Sequence, residues 1–533
     1  IKLRITDDSL YQWKNWLTLS QTSEGYQYLC DKFGVSAVIS EMARLYWDDQ
    51  EGLLKRLPLK RCGVYKGKKV KRIGVYYHRL RNGGAEKVIS ELLVVWKQLG
   101  YELILFTDEE PTSEDYPIPE EISRRVLPSY QKAIASNYKR RALYWESVIR
   151  ELDIDTILYN SSTCHILLWD VCLLKGLGCN LIIQTHSMFA GAMWYSPIYA
   201  SYLPLIYRLV DCAVSLSRVD VAFWKNYCPT YYIQNPITLV QEEEMATLDS
   251  HNILWVGRLA EEKQPFAILE AFRLILDEIT DATLTILGDG DEPEWKERLE
   301  KRANELGIEK LVEFTGFQLN VAPFYKKAAV LAFTSMCEAA PLVLSESKSY
   351  GIPIVMFDLP NVEFVRDSRG VVKVAQNDIL ALSNAISLLL HDKNKRLKMG
   401  IEARASIVKF AQFDVANMWK GLFSDIEKGL NYCCDENISI MLDLLLENVN
   451  RGIKLLTATP SYHNNCESCK SAHEEILQRH EEVINRHNDS INHQWEIQKW
   501  HEERLKRLEA QRPLWRKVLG YLKRQIKKYK RNL

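Results

Sequence analysis

The 533 residues carry 69 Lys and Arg against 69 Asp and Glu, with 47% hydrophobic and 10% aromatic side chains. A chain of this length holds two or three domains with sizeable cores, and its composition is that of an ordinary globular protein, which excludes a disordered polymer. Balanced charge excludes the global field that draws nucleic acid, so no nucleic-acid partner is expected.

Twelve cysteines are scattered without a regular framework, and Cys164, Cys172 and Cys212 stand in apolar runs, which points to buried thiols in a reducing compartment. No signal-peptide pattern and no apolar run long enough to span a bilayer is read in the sequence. Residues 1–68 are aromatic-rich with helical spacing (Leu10, Trp13, Trp16 and Leu17, then Met42, Leu45 and Tyr46) and end in the basic linker Lys66 to Arg72, a helical N-terminal segment.

The pattern then changes. Ile73–Tyr77 reads as a strand, His78–Gly84 as a loop, Ala85–Gln98 as an amphipathic helix and Glu102–Phe106 as the next strand. Gly83 and Gly84 stand at the strand-to-helix turn, where bare N–H groups and the helix dipole suit an anion; taken alone the pair is a tight turn. The two glycines do not complete the dinucleotide fingerprint. Further strands are expected at Asp155–Tyr159, Leu181–Gln184 and Asp211–Ser215. His186 follows the second of these, at a strand's carboxyl end, where doubly wound sheets place their chemistry, with a structural hydrogen bond as the competing reading.

Asn235-Pro236 marks a crossing between domains, with the acidic stretch Glu242–Glu244 beyond it. A second series follows: strand Asn252–Val256, a loop through Gly257, Arg258 and Lys263, helix Phe266–Glu278, strand Thr283–Leu287, turn Gly288–Asp291, helix Glu294–Leu306, strand Val312–Thr315 and helix Val321–Lys327. The buried-strand candidate Ala329–Phe333 leads into a loop carrying Glu338. Glu346, eight residues on, falls in the second turn of a helix that starts near Pro341 and ends before Gly351 and Pro353. Strands Ile354–Phe357 and Val371–Val374 and two helices between Ile379 and Ala411 complete the series. Strands alternating with helices twice over predict an α/β chain with two Rossmann-like domains, over 69–238 and 239–430, facing a cleft that holds the ligand.

After a linker over 431–472 the alternation stops. Over 473–510, Leu477, Ile484, Ile491, Gln498 and Leu505 form one seam and His473, His480, His487, Gln494, His501 and Leu508 a polar second one, which predicts a protonation-sensitive coiled coil and a homo-oligomer, against a helical hairpin on its own chain. Over 511–533, Leu514, Val518, Leu522, Ile526 and Tyr529 share a helical face among Lys and Arg, a basic amphipathic helix suited to an anionic membrane surface, against a merely solvated tail. Cys466 and Cys469 with His463 and His473 have zinc-like spacing but would have to converge within a short loop, and no metal site is expected.

In their order and spacing, Val256-Gly-Arg-Leu followed by Lys263, Leu287-Gly-Asp-Gly, Phe314-Thr-Gly-Phe, and the stretch 335–353 with its two glutamates resemble the retaining nucleotide-sugar glycosyltransferases of family four, over roughly residues 70–428. Gly83-Gly84-Ala-Glu86 is similar to that family's glycine loop in the acceptor-side domain, and Phe413–Lys428 to the helix that crosses back. The resemblance implies a GT-B fold, with an acceptor domain first and a donor-binding domain second. It implies a nucleoside-diphosphate sugar as substrate, no metal or other cofactor, and a glycan or lipid-linked acceptor in surface polysaccharide assembly, while the basic tail over 511–533 points to the cytoplasmic face of the membrane. Arg258 and Lys263 would meet the departing diphosphate, where charge develops. Glu338 would lie near the donor-sugar hydroxyls, His186 near the transferred sugar, and Glu346 would take the ribose hydroxyls. Gly83, Gly84, Gly257, Phe314, Pro341, Leu342 and Val343 would complete the donor site, with backbone around Phe314 to Phe317 holding the base.

One departure is Ala339-Ala340, where the family commonly has glycine, so these positions must avoid left-handed backbone. A non-catalytic scaffold acting through the coiled coil is the alternative, countered by the joint presence of Arg258, Lys263, Glu338 and Glu346. A glycosidase using both glutamates would have no need of the cations.

Overall fold

The computed structural model describes residues 23–39, 42, 62–81, 83–129, 135–161, 164, 166–189, 203–290, 294–359 and 361–433. The expected coiled coil over 473–510, the basic helix over 511–533 and the Cys466–Cys469 pair lie outside the described residues.

The first domain is built from α1 (Ser23–Phe33), β1 (Gly63–Tyr65), β2 (Arg72–Tyr76), α2 (Gly84–Gln98), β3 (Glu102–Thr107), β4 (Ser123–Val126), α3 (Ala135–Glu151), β5 (Thr156–Tyr159), α4 (Leu167–Gly176), β6 (Asn180–Thr185), α5 (Leu203–Leu209), β7 (Cys212–Ser215), α6 (Arg218–Trp224) and β8 (Thr230–Tyr232). Its seven-stranded sheet runs β4-β3-β2-β5-β6-β7-β8, with every neighbouring pair parallel. β5, β6 and β7 are buried at every position, as unbroken apolar runs covered on both faces should be. The N-terminal segment joins this core: Tyr26, Leu29 and Cys30 of α1 are buried with α4, and Tyr26 Oη donates to the Cys172 carbonyl at 2.6 Å.

The second domain contains β9 (Asn252–Val256), α7 (Pro265–Ile275), β10 (Thr283–Leu287), α8 (Glu294–Glu305), β11 (Val312–Gly316), α9 (Ala322–Lys327), β12 (Val330–Phe333), α10 (Leu342–Ser349), β13 (Ile354–Phe357), β14 (Val371–Val374), α11 (Ile379–His391) and α12 (Lys393–Ala411). Its six parallel strands run β11-β10-β9-β12-β13-β14.

The chain then returns. Asp414 caps α13 (Val415–Lys428) by accepting from Asn417 N, and the helix buries Trp419, Leu422, Phe423 and Ile426 in the first domain's core against Val88, Leu92 and Trp96. The Trp96 and Trp419 rings meet edge to face at 5.0 Å, and Tyr101 and Phe423 at 4.9 Å. Residues 415–428 therefore pack with the first domain, although the sequence groups them with the second. The last strand, β15 (Leu430–Tyr432), pairs antiparallel with β1, Gly63 opposite Tyr432. The outward and returning crossings touch, because Gln234 Nε2 donates to the Phe410 carbonyl at 2.7 Å. The Cys172 and Cys212 side chains are buried and Cys164 is half-buried. Among the described residues no helix is long and apolar enough to cross a membrane.

Candidate active site

The second domain's side of the cleft is made by loops at the carboxyl ends of β9, β10 and β12, which are neighbours in the sheet. Gly257 N donates to the Leu287 carbonyl at 3.0 Å, Leu259 N to that of Asp289 at 2.9 Å, and Gly288 N to that of Gly316 at 3.0 Å. Gly288 sits at φ +136°, and a Cβ there would lie 2.0 Å from the Gly257 carbonyl oxygen, so only glycine lets these loops close on each other. After Arg258 the chain makes one short turn, Glu261–Lys263, before α7 begins at Pro265. Thr334 Oγ1 donates to the Lys263 carbonyl at 2.7 Å and accepts from Trp255 Nε1 at 2.9 Å, while Met336 N donates to the Glu262 carbonyl at 2.8 Å. These bonds fix the Glu338 loop to the Lys263 loop.

Within that frame the charges are paired. Lys263 Nζ bonds Glu338 Oε1, Arg258 Nη2 bonds Glu262 Oε1 at 2.6 Å, and Asn361 Nδ2 holds the Glu338 carbonyl. Neither Ala339 nor Ala340 has positive φ, so the loop takes a course that alanine tolerates. Pro341 then caps α10 without a side-chain hydrogen bond, and of the first-turn N–H groups Leu344 N turns back to the Pro341 carbonyl at 3.3 Å. Glu346 Oε2 accepts from Tyr325 Oη at 2.8 Å, and its Oε1 accepts from Lys87 Nζ of α2 in the first domain.

Gly83 is the N-cap of α2, again with no side-chain cap. The Glu86 carboxylate folds back over it so closely that a Cβ at Gly83 would lie 2.1 Å from Glu86 Oε2, whereas at Gly84 it would meet only ordinary contacts. His186 lies just past β6. Asn160, 1% exposed, directs its Nδ2 to the Tyr76 and Leu158 carbonyls, and its Oδ1 faces His186 Nε2 at 3.3 Å. The imidazole therefore takes the Nε2–H tautomer and keeps Nδ1 as an acceptor. Burial pushes its pKa down to about 4, so the ring is neutral at physiological pH.

All of these groups border a cleft. A cavity of about 570 Å³ is lined by Gly83, Gly84, His186, Gly257, Arg258, Lys263, Glu338, Pro341, Leu342 and Val343. A recess of about 120 Å³ shares Gly83, Gly84, Gly257, Arg258, Leu342 and Val343 with it and adds Lys87, Tyr116, Asp289, Phe317 and Glu346. The two glutamates thus face adjoining compartments. Phe314 alone among the sequence-derived residues lies elsewhere, in β11 against the second domain's core; Phe317, at the end of the same four-residue motif, lines the recess with Tyr116, ring centroids 6.2 Å apart. Lys87 and Tyr116 escaped sequence reasoning. Lys87 stands three residues past Gly84 on the helix the glycines open, whereas Tyr116 lies in a loop with no pattern of its own.

Chemically, the cations Arg79, Arg258 and Lys263 and two helix N-termini without side-chain caps border one cavity, which suits a group carrying or developing negative charge. The Glu346 and Asp289 carboxylates, with aromatic rings beside them, suit a polar ring system with hydroxyls. Among the described residues no three His, Cys, Asp or Glu side chains stand together as a metal-holding group.

Two facing parallel-sheet domains with this anion-receiving cleft define a GT-B glycosyltransferase. Residues 82–240 match the family model described as Glycosyltransferase Family 4, and residues 241–406 the one described as Glycosyl transferases group 1, a continuous match across both domains. The chain belongs to glycosyltransferase family four. It is 24% identical to an uncharacterized glycosyltransferase of Haemophilus influenzae, over 66% of this chain and 100% of that one. It is likewise 24% identical to a Campylobacter jejuni α-1,4-N-acetyl-D-galactosaminyltransferase whose name specifies an undecaprenol-diphosphate-linked glycan, over 65% and 97%. Among solved structures, HepE of Anabaena in complex with UDP-glucose superposes with a TM-score of 0.55 at 15% identity, covering 67% of this chain and 99% of that one. The lipopolysaccharide outer core galactosyltransferase WaaB superposes with a TM-score of 0.51 at 18% identity, over 67% and 100%.

Proposed function

We propose that this glycosyltransferase moves a sugar from a nucleoside-diphosphate sugar to a glycan or lipid-linked acceptor with retention of configuration, in the assembly of a surface polysaccharide. One observation carries the reading: Arg258, Lys263, Glu338 and two helix N-termini without side-chain caps border a single cavity. The bond from the sugar's anomeric carbon to the diphosphate breaks as the acceptor oxygen bonds that carbon from the same face, and the acceptor's proton passes to the leaving phosphate oxygen. Arg258 and Lys263 exchange Glu262 and Glu338 for the diphosphate oxygens as negative charge grows there, so the protein supplies the countercharge and no metal ion is required. Glu338 then accepts from donor-sugar hydroxyls, Glu346 from the ribose, and neutral His186 offers Nδ1 to a hydroxyl of the transferred sugar. UDP-glucose in HepE and the undecaprenol-linked glycan in the name of the Campylobacter relative support the donor and acceptor classes.

The test is incubation with UDP-, GDP- and ADP-sugars, with and without a chelator, while following release of the nucleoside diphosphate. Release and product formation are expected with one donor, undiminished by the chelator. Absence of both saturable binding and release with every donor refutes the enzymatic reading, and loss of turnover on chelation refutes the metal-free one. We place the enzyme peripherally at the cytoplasmic membrane face through 511–533 and in a homo-oligomer through 473–510. Deletion after Arg512 should weaken binding to anionic vesicles; equal binding of both forms refutes the membrane claim, and a monomeric mass for the full chain refutes the oligomer.

A further inference from the structure

Lys87 is a first-domain cation that reaches across to the second domain. Its Nζ bonds Oε1 of Glu346 in the second domain, the carboxylate to which the reading above assigns the ribose hydroxyls. The other oxygen, Oε2, is already engaged by Tyr325 at 2.8 Å. Lys87 and Glu346 line the same small recess, so a hydroxyl that reaches Oε1 enters the space the Lys87 ammonium fills. A lysine displaced into a half-buried recess needs another anion. One stands a helical turn further along α2: Glu91, at i+4 from Lys87, has a buried Oε2 with no hydrogen-bond partner.

We propose that Lys87 is a donor-operated latch, bonded to Glu346 across the two domains in the empty enzyme and passed to Glu91 when the ribose takes Glu346. The inference rests on the ribose assignment of Glu346. Three groups bear on Glu91: Lys87 on its own helix, Glu346 from α10, and Tyr116 from the loop between β3 and β4. Burial pushes the Glu91 carboxyl up to about 7, opposed by Lys87 and reinforced by Glu346. Tyr116 is pushed up to about 12, by burial first, and stays neutral. A lysine arriving at Glu91 lowers its pKa, so donor binding expels a proton near neutrality and tightens as pH rises through that range.

Isothermal titration of a nucleotide sugar reads this directly, because its diesterified phosphates do not titrate near pH 7. UDP-glucose is the first probe, then GDP- and ADP-sugars until one binds. Binding measured in two buffers of different ionisation enthalpy should reveal proton release at pH 7, and Kd should fall several-fold between pH 6 and pH 8. Both effects should vanish in Glu91→Gln and Lys87→Met and persist in Lys87→Arg. The proposal is overturned if the wild-type enzyme releases no proton, or if release survives Glu91→Gln, a near-isosteric change that keeps the fold. Glu346→Gln separates the two levels. If it leaves affinity unchanged, the ribose assignment itself fails. If it weakens binding while Glu91→Gln leaves the pH dependence intact, only the latch fails.

Discussion

Two residues beyond Glu346 on the same helix, Lys348 is completely buried, and its Nζ donates to two neutral acceptors, the Phe364 carbonyl and Ser406 Oγ, each at 2.8 Å. Burial pulls its pKa down to about 8, with Asp367 pulling the other way and Lys373 and Arg369 adding to the fall. Against an ordinary 10.5, that difference corresponds to roughly 3 kcal/mol of stability sacrificed while the lysine is charged. Below pH 8 both folded and unfolded chains carry the charge and the cost is complete; above about 10.5 both are neutral and the cost is gone. Stability attributable to this residue must therefore rise with pH between those limits.

Lys348→Met removes the charge but strands the Phe364 carbonyl, while Ser406 Oγ still donates to Ala403 O at 2.9 Å. Leaving one buried acceptor unpaired costs about 1–3 kcal/mol. The variant should thus lie within about 2 kcal/mol of wild type at pH 7 and fall behind it by about 1–3 kcal/mol at pH 10.5. Paired denaturant titrations from pH 7 to 10.5 measure the difference, in which tyrosine titrations common to both proteins cancel. A difference that stays constant across that range would refute the reasoning, because the lysine would then be fully compensated where it lies.

Lys263→Met should lower kcat/KM by about 10²–10³, the usual effect of removing one stabiliser of developing charge, while the circular dichroism spectrum is unchanged; an effect below threefold would dismiss its catalytic role. Gly288→Ala, which drives a Cβ into the Gly257 carbonyl, should destabilise the second domain by about 1–3 kcal/mol and weaken nucleotide-sugar binding with it. Thermal melts and titration of the same variant would contradict this if both stayed at wild-type values. Because burial holds His186 near pKa 4, its neutral form persists from pH 5 upward and is lost only as pH falls toward 4. A pH–rate inflection between 6 and 7 that disappears in His186→Gln would show the ring to be exposed and titrating in solution.

The second domain was largely legible in the sequence. Asn252–Val256, Thr283–Leu287, Ile354–Phe357 and Val371–Val374 are strands with the bounds that their apolar runs and flanking glycines predict. In the first domain β4 and β8 carry Arg124, Arg125 and Tyr231 at the sheet edges, only partly covered, so their sequences lack the continuous apolar run of an interior strand. β1 and β15 are three residues each and exist because distant segments meet, which local pattern does not encode. At the site, Arg258, Lys263, Glu338 and Glu346 were readable because they sit in motifs fixed by loop geometry. Phe314 and Phe317 belong to one motif, and only the strand register decides which ring faces the core. The pairing of Lys87 with Glu346 was not readable, since Lys87 reaches it from the other domain.

The bond between Gln234 and the Phe410 carbonyl has a mechanical meaning. The second domain is an insertion: the chain leaves the first domain after β8, builds the whole second sheet, and comes back as α13 at an adjacent point. A body tethered by a single strand can swivel freely, whereas one tethered at two neighbouring points turns about the line joining them. Rotation of one domain against the other about that line would be jaw-like, bringing the two faces of the cleft back into the same register.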